Sequence, residues 1–381
     1  MKTILSFIDW YLPGYRAGGT LKAFANQVAH FEGIYNFKII TRDTDYCETT
    51  PYNNIKSDQW NRLSANSEVY YVSAKNSSYS LFKNLVKSTD FDAVYIHGVY
   101  SFWYSILPVI LAKQKKTPRI VVVAHGMLGK HSLSVKSGKK DIFLKAGKLL
   151  GLYKGVVFHA ANQSEADDVR KSVGPKATVI VAEELPMKVI LPEWVQREKK
   201  PGELSLLSVA RISPEKNTLY ALEVLAECKH GNISYDIYGP VYNESYWNEC
   251  KTVISRMPAN VKVTYKGSLQ GDQVLQTIRN YHCMFMPTTG ENFGHTILES
   301  FMAASPVLIS SNTPWRNLTA KKAGWDIDLS DKKEFIKAIE TLTDLHQTDY
   351  DVISQSAQKF AQAFMNDKSI LEQNKRLFDH E

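Results

Sequence analysis

The feature that most constrains this chain is a rhythm. Short runs rich in Val, Ile, Phe and Tyr alternate with stretches of helical spacing, and the rhythm breaks once and then restarts. In the first half the runs read "KTILSFI", "FKIIT", "EVYYVS", "DAVYIHG", "RIVVVAHG", "GVVFHAA" and "ATVIVA". Leu21, Phe24, Ala25, Val28 and Phe31 mark an apolar helix face directly after Gly18 and Gly19. Strands that alternate with helices are joined by crossovers, and crossovers make parallel sheets. From Lys188 the text becomes "KVILPEWVQREKKPG", where two prolines and a charge cluster read as a linker. Then "ELSLLSVA", "SYDIYG", "VKVTYKG", "CMFMP" and "PVLISS" resume the strand pattern, with a helical run "NTLYALEVLAECK" after the first.

At 381 residues the chain exceeds one ordinary core. The expected architecture is α/β, with two Rossmann-like domains facing each other across a cleft. The N-terminal domain spans 1–187, a linker 188–203 and the C-terminal domain 204–365. A final helix in 366–381 is expected to pack back on the first domain. In such open sheets, ligands bind outside the carboxyl ends of the strands.

Composition excludes several classes. The 44% hydrophobic and 22% charged content belongs to a globular protein, not a disordered one. "MKTILSFIDW" lacks the long apolar region of a signal peptide. The longest apolar run, "FWYSILPVILA", has about half the ~20 residues of a spanning helix. Cys47, Cys228, Cys250 and Cys283 show no metal or redox spacing and fit reduced thiols in a cytoplasm. Charge is uneven: residues 1–187 carry 24 Lys/Arg against 15 Asp/Glu, hence +9, and residues 188–381 carry 22 against 24, hence −2. Eleven of the cations lie between Lys113 and Lys154, against the single Asp141. Such a patch invites an anionic surface or substrate. Within residues 136–154, Lys139, Lys140, Lys145 and Lys148 flank Ile142, Phe143, Ala146, Leu149 and Leu150, a pattern shared by interfacial helices and by core helices with a basic face.

The segment "PTTGENFGHTILESFMAASPV" carries the sharpest chemical signal. An apolar strand runs into a Gly-Glu-Asn-Phe-Gly turn, and a helix follows. Backbone N–H groups and a helix N-terminus are thereby delivered to the strand's carboxyl end, an arrangement suited to phosphate or a sugar oxygen. Gly290 and Gly294 allow close backbone approach. Glu291 in the turn and Glu299 in the helix can each accept hydrogen bonds from neighbouring hydroxyls. Taken singly, they are an acidic turn and a solvated helix residue; the ordered string favours a site. Arg211 and Lys216, at a strand end before a helix, can meet the negative charge of a phosphate group. Alone they are two surface cations. Gly18 and Gly19, with Thr20 able to cap the first helix, supply N–H donors or form a plain turn. His125 ends the run "RIVVVAHG" and is expected to point into the cleft.

Together these segments resemble the retaining GT-B glycosyltransferases of family 4, the group 1 glycosyltransferases. "SVARISPEKNTLYALEVL", "DIYGP", "YKGSLQGDQV", "PGYRAGG" and "AHGML" carry the resemblance beside the two glutamates. It implies sugar transfer from a nucleotide diphosphate with retention at the anomeric carbon, the leaving phosphate helping to deprotonate the acceptor. The implied catalytic residues are His125, Glu291, Arg211 and Lys216. Donor contacts fall on Gly18, Gly19, Arg211, Lys216, Gly267, Leu269, Glu291, Asn292, Phe293, Gly294 and Glu299. His97, Tyr100 and Trp103 are candidates for the acceptor. No metal and no further cofactor are expected; Asp43-x-Asp45 reads as a loop, and His125 and His131 lack ligand spacing. Asn217, Ser305 and "VAEELP" depart from the family pattern, where glycines or an Asn-Gly turn are common.

The expected partners are a UDP- or GDP-sugar and a glycan or lipid-linked acceptor in bacterial surface polysaccharide synthesis (O-antigen, capsule or lipopolysaccharide). The expected location is the cytoplasm, at the inner face of its membrane. The competing readings are a non-catalytic sugar-nucleotide binder and a transferase with a small-molecule acceptor. Nucleic-acid binding is disfavoured, because no recognition motif accompanies the basic segment.

Overall fold

The computed structural model describes residues 1–115, 118–129 and 137–379, without the side chains of 137–139 and 141. His131 and the start of the basic segment therefore lie outside the described residues. The chain forms two compact units, 1–188 with 367–381, and 189–366.

The first unit is built on an eight-stranded sheet: β1 (Lys2–Phe7), β2 (Tyr35–Arg42), β3 (Trp60–Ser64), β4 (Ser67–Val72), β5 (Ala93–His97), β6 (Arg119–Val123), β7 (Val157–Ala160) and β8 (Thr178–Val181). Their order is β3-β4-β2-β1-β5-β6-β7-β8, parallel except for β3 against β4. Ile4, Leu5 and Phe7 on β1 are buried on both faces of the sheet, which explains a continuous apolar run rather than an alternating one. Helices α1 (Gly19–His30), α2 (Tyr79–Ser88), α3 (Leu107–Lys113), α4 (Ser137–Leu149) and α5 (Gln163–Val173) supply crossovers. On α1, Leu21, Phe24 and Val28 are buried as their spacing predicts. Strand β3, "WNRLS", escapes a reading of apolar runs because it is an edge strand with exposed Arg62, Leu63 and Ser64.

The second unit contains β9 (Glu203–Val209), β10 (Asn232–Tyr238), β11 (Val261–Gly267), β12 (Cys283–Met286), β13 (Val307–Ser310) and β14 (Gly324–Ile327). All neighbours pair in parallel, in the order β11-β10-β9-β12-β13-β14. The helices are α6 (Thr218–Glu227), α7 (Glu244–Ile254), α8 (Val274–Ile278), α9 (His295–Met302), α10 (Lys332–Asp344) and α11 (Gln347–Met365). The last helix, α12 (Lys368–Lys375), belongs to the first unit, where Leu377 and Phe378 are buried beside Phe31, Tyr35, Phe37 and Tyr95.

The segment read as a linker carries no helix or strand, yet most of it packs inside the second unit. Arg197 donates to the carbonyls of Arg279 (2.7 Å) and Ala303 (3.2 Å), the C-cap residues of α8 and α9. Lys199 is 3% exposed and donates to the carbonyls of Lys200, Thr343 and Leu345. Its charges serve as caps, not as a solvated tether.

Candidate active site

In the second unit the strand order reverses between β9 and β12, and the sequence-predicted residues gather at the carboxyl ends of those two strands. The loop after β9 carries Arg211 and Lys216; the loop after β12 carries Glu291. Backbone and side-chain bonds tie the loops together. Thr289 N–H donates to the Glu215 carbonyl (2.9 Å), as does the Thr288 hydroxyl (3.0 Å), and Asn217 Nδ2 donates to the Pro287 carbonyl (3.0 Å). Lys216 Nζ forms an ion pair with Glu291 Oε1 across the gap, with side chains 21% and 10% exposed. Arg211 remains exposed.

Asn217 stands where a glycine is common, and the reason it fits is conformational. Its φ is 59°, in the left-handed region that asparagine tolerates best among residues with a side chain. Gly239, in "DIYGP", has φ 147°, and a Cβ there would lie 1.8 Å from the Ala210 carbonyl oxygen. Only glycine lets the end of β10 lie against the residue that precedes Arg211.

Helix α9 begins after Gly294, whose φ of 83° makes the turn. It carries Glu299, 6% exposed, one turn into the unit. Asn292 is half-buried. The Phe293 side chain is core: it is 6% exposed and packs on Trp315, His295 and Phe364, so only its backbone is open to a donor role. Gly267 ends β11 and Leu269 follows it, at the sheet edge on the same carboxyl side. Glu215 was missed by the sequence reading. Burial pushes its carboxyl up, but the Ser213 hydroxyl, its own N–H, Arg211 and Lys216 outweigh that and hold it below the usual range. An acidic residue between two candidate phosphate-binding cations gives no motif by itself, hence no signal.

In the first unit the predictions fare unevenly. Gly18 caps α1 with φ 73°, and Thr20 lies inside the helix rather than capping it. The loop leading to Gly18 is pinned by Asp45, which accepts from the N–H groups of Tyr15 (3.0 Å) and Arg16 (3.3 Å). Asp43 accepts from the Ser57 hydroxyl (2.8 Å). Both carboxylates of the Asp-x-Asp run thus have internal partners. His125 lies two residues beyond β6 with φ 48°, and its side chain is only 6% exposed. The imidazole turns inward: Nε2 is 3.0 Å from His97 Nδ1, and Nδ1 is 4.0 Å from Glu184 Oε1. His97 is 3% exposed, tilted against Phe24 and edge-on to Tyr95. Burial, then His125 and His159, push its pKa well down, so it is neutral. Neither ring presents itself to a ligand as the sequence reading expected. Tyr100 and Trp103 are half-buried, packed on Phe143 and Phe82 respectively.

Comparison with known proteins agrees with this arrangement. Residues 192–360 match the family model described as glycosyl transferases group 1. The chain has the GT-B fold, and the match to group 1 covers most of its second unit. Among solved structures, the chain is similar to sucrose-phosphate synthase from Thermosynechococcus elongatus (13% identity, 99% of this chain and 98% of that one, TM-score 0.71). It is also similar to the Anabaena protein HepE solved with UDP and glucose (14%, 99% and 98%, 0.69). A third is WaaG, a glycosyltransferase involved in lipopolysaccharide biosynthesis (13%, 98% and 98%, 0.66). No match is found among curated proteins. Among the described residues, no helix is long and apolar enough to cross a membrane.

Proposed function

We propose that the chain transfers a sugar, with retention, from a UDP- or GDP-sugar to a hydroxyl of a glycan or lipid-linked glycan during assembly of a bacterial surface polysaccharide. The observation that carries this reading is the Lys216–Glu291 pair set over the β9/β12 switch point, with Glu299 buried on the adjoining helix. Without donor, Glu291 holds Lys216. A diphosphate arriving beside Arg211 takes over the lysine, and Glu291 is released to the hydroxyls of the transferred sugar. Glu299 accepts hydrogen bonds from the ribose. Arg211 and Lys216 stabilise the charge that grows on the departing diphosphate, so their contribution is largest in the transition state. That diphosphate receives the acceptor's proton, and no carboxylate nucleophile is needed. UDP and UDP-glucose in the HepE structures support the donor class, and the description of WaaG supports the pathway. Sucrose-phosphate synthase and trehalose-6-phosphate synthase among the similar structures favour the second reading, a small sugar acceptor.

A thermal-shift panel of UDP-, GDP- and ADP-sugars tests the reading. A donor at 100 times its Kd stabilises by about 2.7 kcal/mol. Glu299→Ala is expected to weaken both the donor and the free nucleoside diphosphate, by about 1.5–3 kcal/mol. Glu291→Ala is expected to spare the diphosphate and weaken only the sugar nucleotide. Equal loss of diphosphate affinity in both variants would overturn this division of roles.

The reading also places the enzyme at the inner face of the cytoplasmic membrane. On α4, Phe143 and Leu144 pack inward, whereas Ile142 (70%), Leu149 (87%) and Leu150 (81%) are exposed beside exposed Lys145 and Lys148. Exposed leucines amid lysines suit an anionic bilayer surface. Lys139 of the same segment has no described side chain.

A further inference from the structure

The sheet of the first unit also reverses its order once, with β2 on one side of β1 and β5 on the other. In open α/β sheets a ligand binds outside the carboxyl ends of the strands at such a point. Asp9 and Trp10 follow β1 there, Ser101 and Phe102 follow β5, and Arg42 closes β2. Asp9 Oδ1 accepts from the Ser101 hydroxyl (2.9 Å), joining the two strand ends over the switch point. The same oxygen accepts from Arg42 Nε (3.2 Å) and Nη2 (2.8 Å). The guanidinium carbon lies 5.4 Å from the Trp10 centroid and 4.9 Å from that of buried Tyr104. Trp10 in turn is wedged edge-to-face against Tyr46 (4.9 Å, 87°).

Three donors thus land on one oxygen of Asp9. Oδ2 of Asp9 and Nη1 of Arg42 stay available, on side chains 18% and 35% exposed. The pair has no net charge, is fixed by its neighbours, and offers one acceptor beside one donor. That is the complement of two adjacent hydroxyls, each of which both donates and accepts. A phosphate, with acceptors only, would meet the Asp9 carboxylate unfavourably. Phe102, 52% exposed beside Ser101, adds an apolar surface of the kind a sugar ring covers.

We propose that Asp9 and Arg42 form the acceptor subsite and bind a vicinal pair of hydroxyls on a pyranose ring. They hold the acceptor; no bond is made or broken at either residue. This rests on the glycosyltransferase reading above and moves acceptor recognition away from His97, Tyr100 and Trp103.

The test is hydrogen exchange of the full chain with methyl glucoside, galactoside, mannoside and N-acetylglucosaminide as probes, with and without saturating UDP. At least one glycoside is expected to slow exchange several-fold in residues 8–12, 41–46 and 99–104. Asp9→Asn, close in shape to the native residue, and Arg42→Gln are expected to raise the half-saturating concentration tenfold or more. Phe102→Ala, at a 52% exposed position whose ring meets Trp103 edge-on, is expected to raise it by a smaller factor. The proposal fails if no glycoside protects these segments, or if Asp9→Asn and Arg42→Gln respond as the parent does. Lys216→Ala separates the two readings. It is expected to weaken the response to UDP and to leave glycoside protection intact; an unchanged response to UDP contradicts the donor site, and loss of glycoside protection contradicts the acceptor subsite.

Discussion

At the scale of single residues, His282 shows how a local bond sets a global pH response. Its Nδ1 accepts from Ser205 N–H (2.9 Å), and its Nε2 lies 2.8 Å from the Glu198 carbonyl, so the folded ring is neutral with the proton on Nε2. Burial pushes its pKa from 6.5 down to about 4; the Glu198 bond opposes this, and Lys199 and Arg197 assist it. The unfolded chain therefore takes up the proton before the folded one does. Stability from this residue is complete above pH 6.5 and is lost as pH falls towards 4, by roughly 3 kcal/mol. The Tm of His282→Gln, followed over that range, is expected to fall less steeply than that of the parent; parallel curves would contradict the assignment. Glu291, Glu299, Arg211 and Lys216, the proposed donor residues, stand out in the sequence because their spacing is tied to backbone features that local text encodes, and the structure sets Arg211, Lys216 and Glu291 on the loops after β9 and β12. His125 and His97 are harder to read for a physical reason: a histidine after a buried strand can turn either way, and here Glu184 and the surrounding rings pack against side chains that are buried.

At the scale of elements, the strands were readable wherever they are buried on both faces, as β1, β5, β6 and β12 are. Strand β14, "GWDI", was not, since it is four residues long with three half-buried. The segment around Arg197 reads as a tether because prolines and charges usually are one; what the text does not reveal is that these charges meet helix ends. Arg197 reaches the C-termini of α8 and α9 and also bonds the Tyr350 hydroxyl, so it clamps three helices of the second unit. Arg197→Ala is expected to destabilise that unit by about 2–4 kcal/mol by leaving carbonyls and a hydroxyl without their donor. Arg197→Lys recovers only part, because a single ammonium cannot span the same acceptors. Denaturant unfolding of both variants checks this; a loss below about 0.5 kcal/mol for Arg197→Ala would mean that the segment is a simple connector.

At the scale of the whole molecule, the uneven charge bears on the membrane contact proposed for the first unit, whose α4 exposes Leu149 beside Lys145 and Lys148. Each lysine near an anionic surface contributes about 1 kcal/mol, and salt screens it. The enzyme is expected to co-sediment with liposomes containing anionic lipid at low salt and to be released at high salt. Binding indifferent to lipid charge, or unchanged after Lys139, Lys140, Lys145 and Lys148 are all replaced by Gln, would refute electrostatic docking. The central claim is that a nucleotide-sugar donor reacts at the β9/β12 switch point under Arg211 and Lys216. Release of nucleoside diphosphate from UDP- and GDP-sugars, measured at saturating donor with a chelator present, tests it most directly. The account predicts turnover that survives the chelator and a kcat at least about tenfold lower in Arg211→Ala and in Lys216→Ala, the size of a transition-state contact of ~1.4 kcal/mol or more. No turnover with any donor, or an unchanged kcat in both variants, would contradict it.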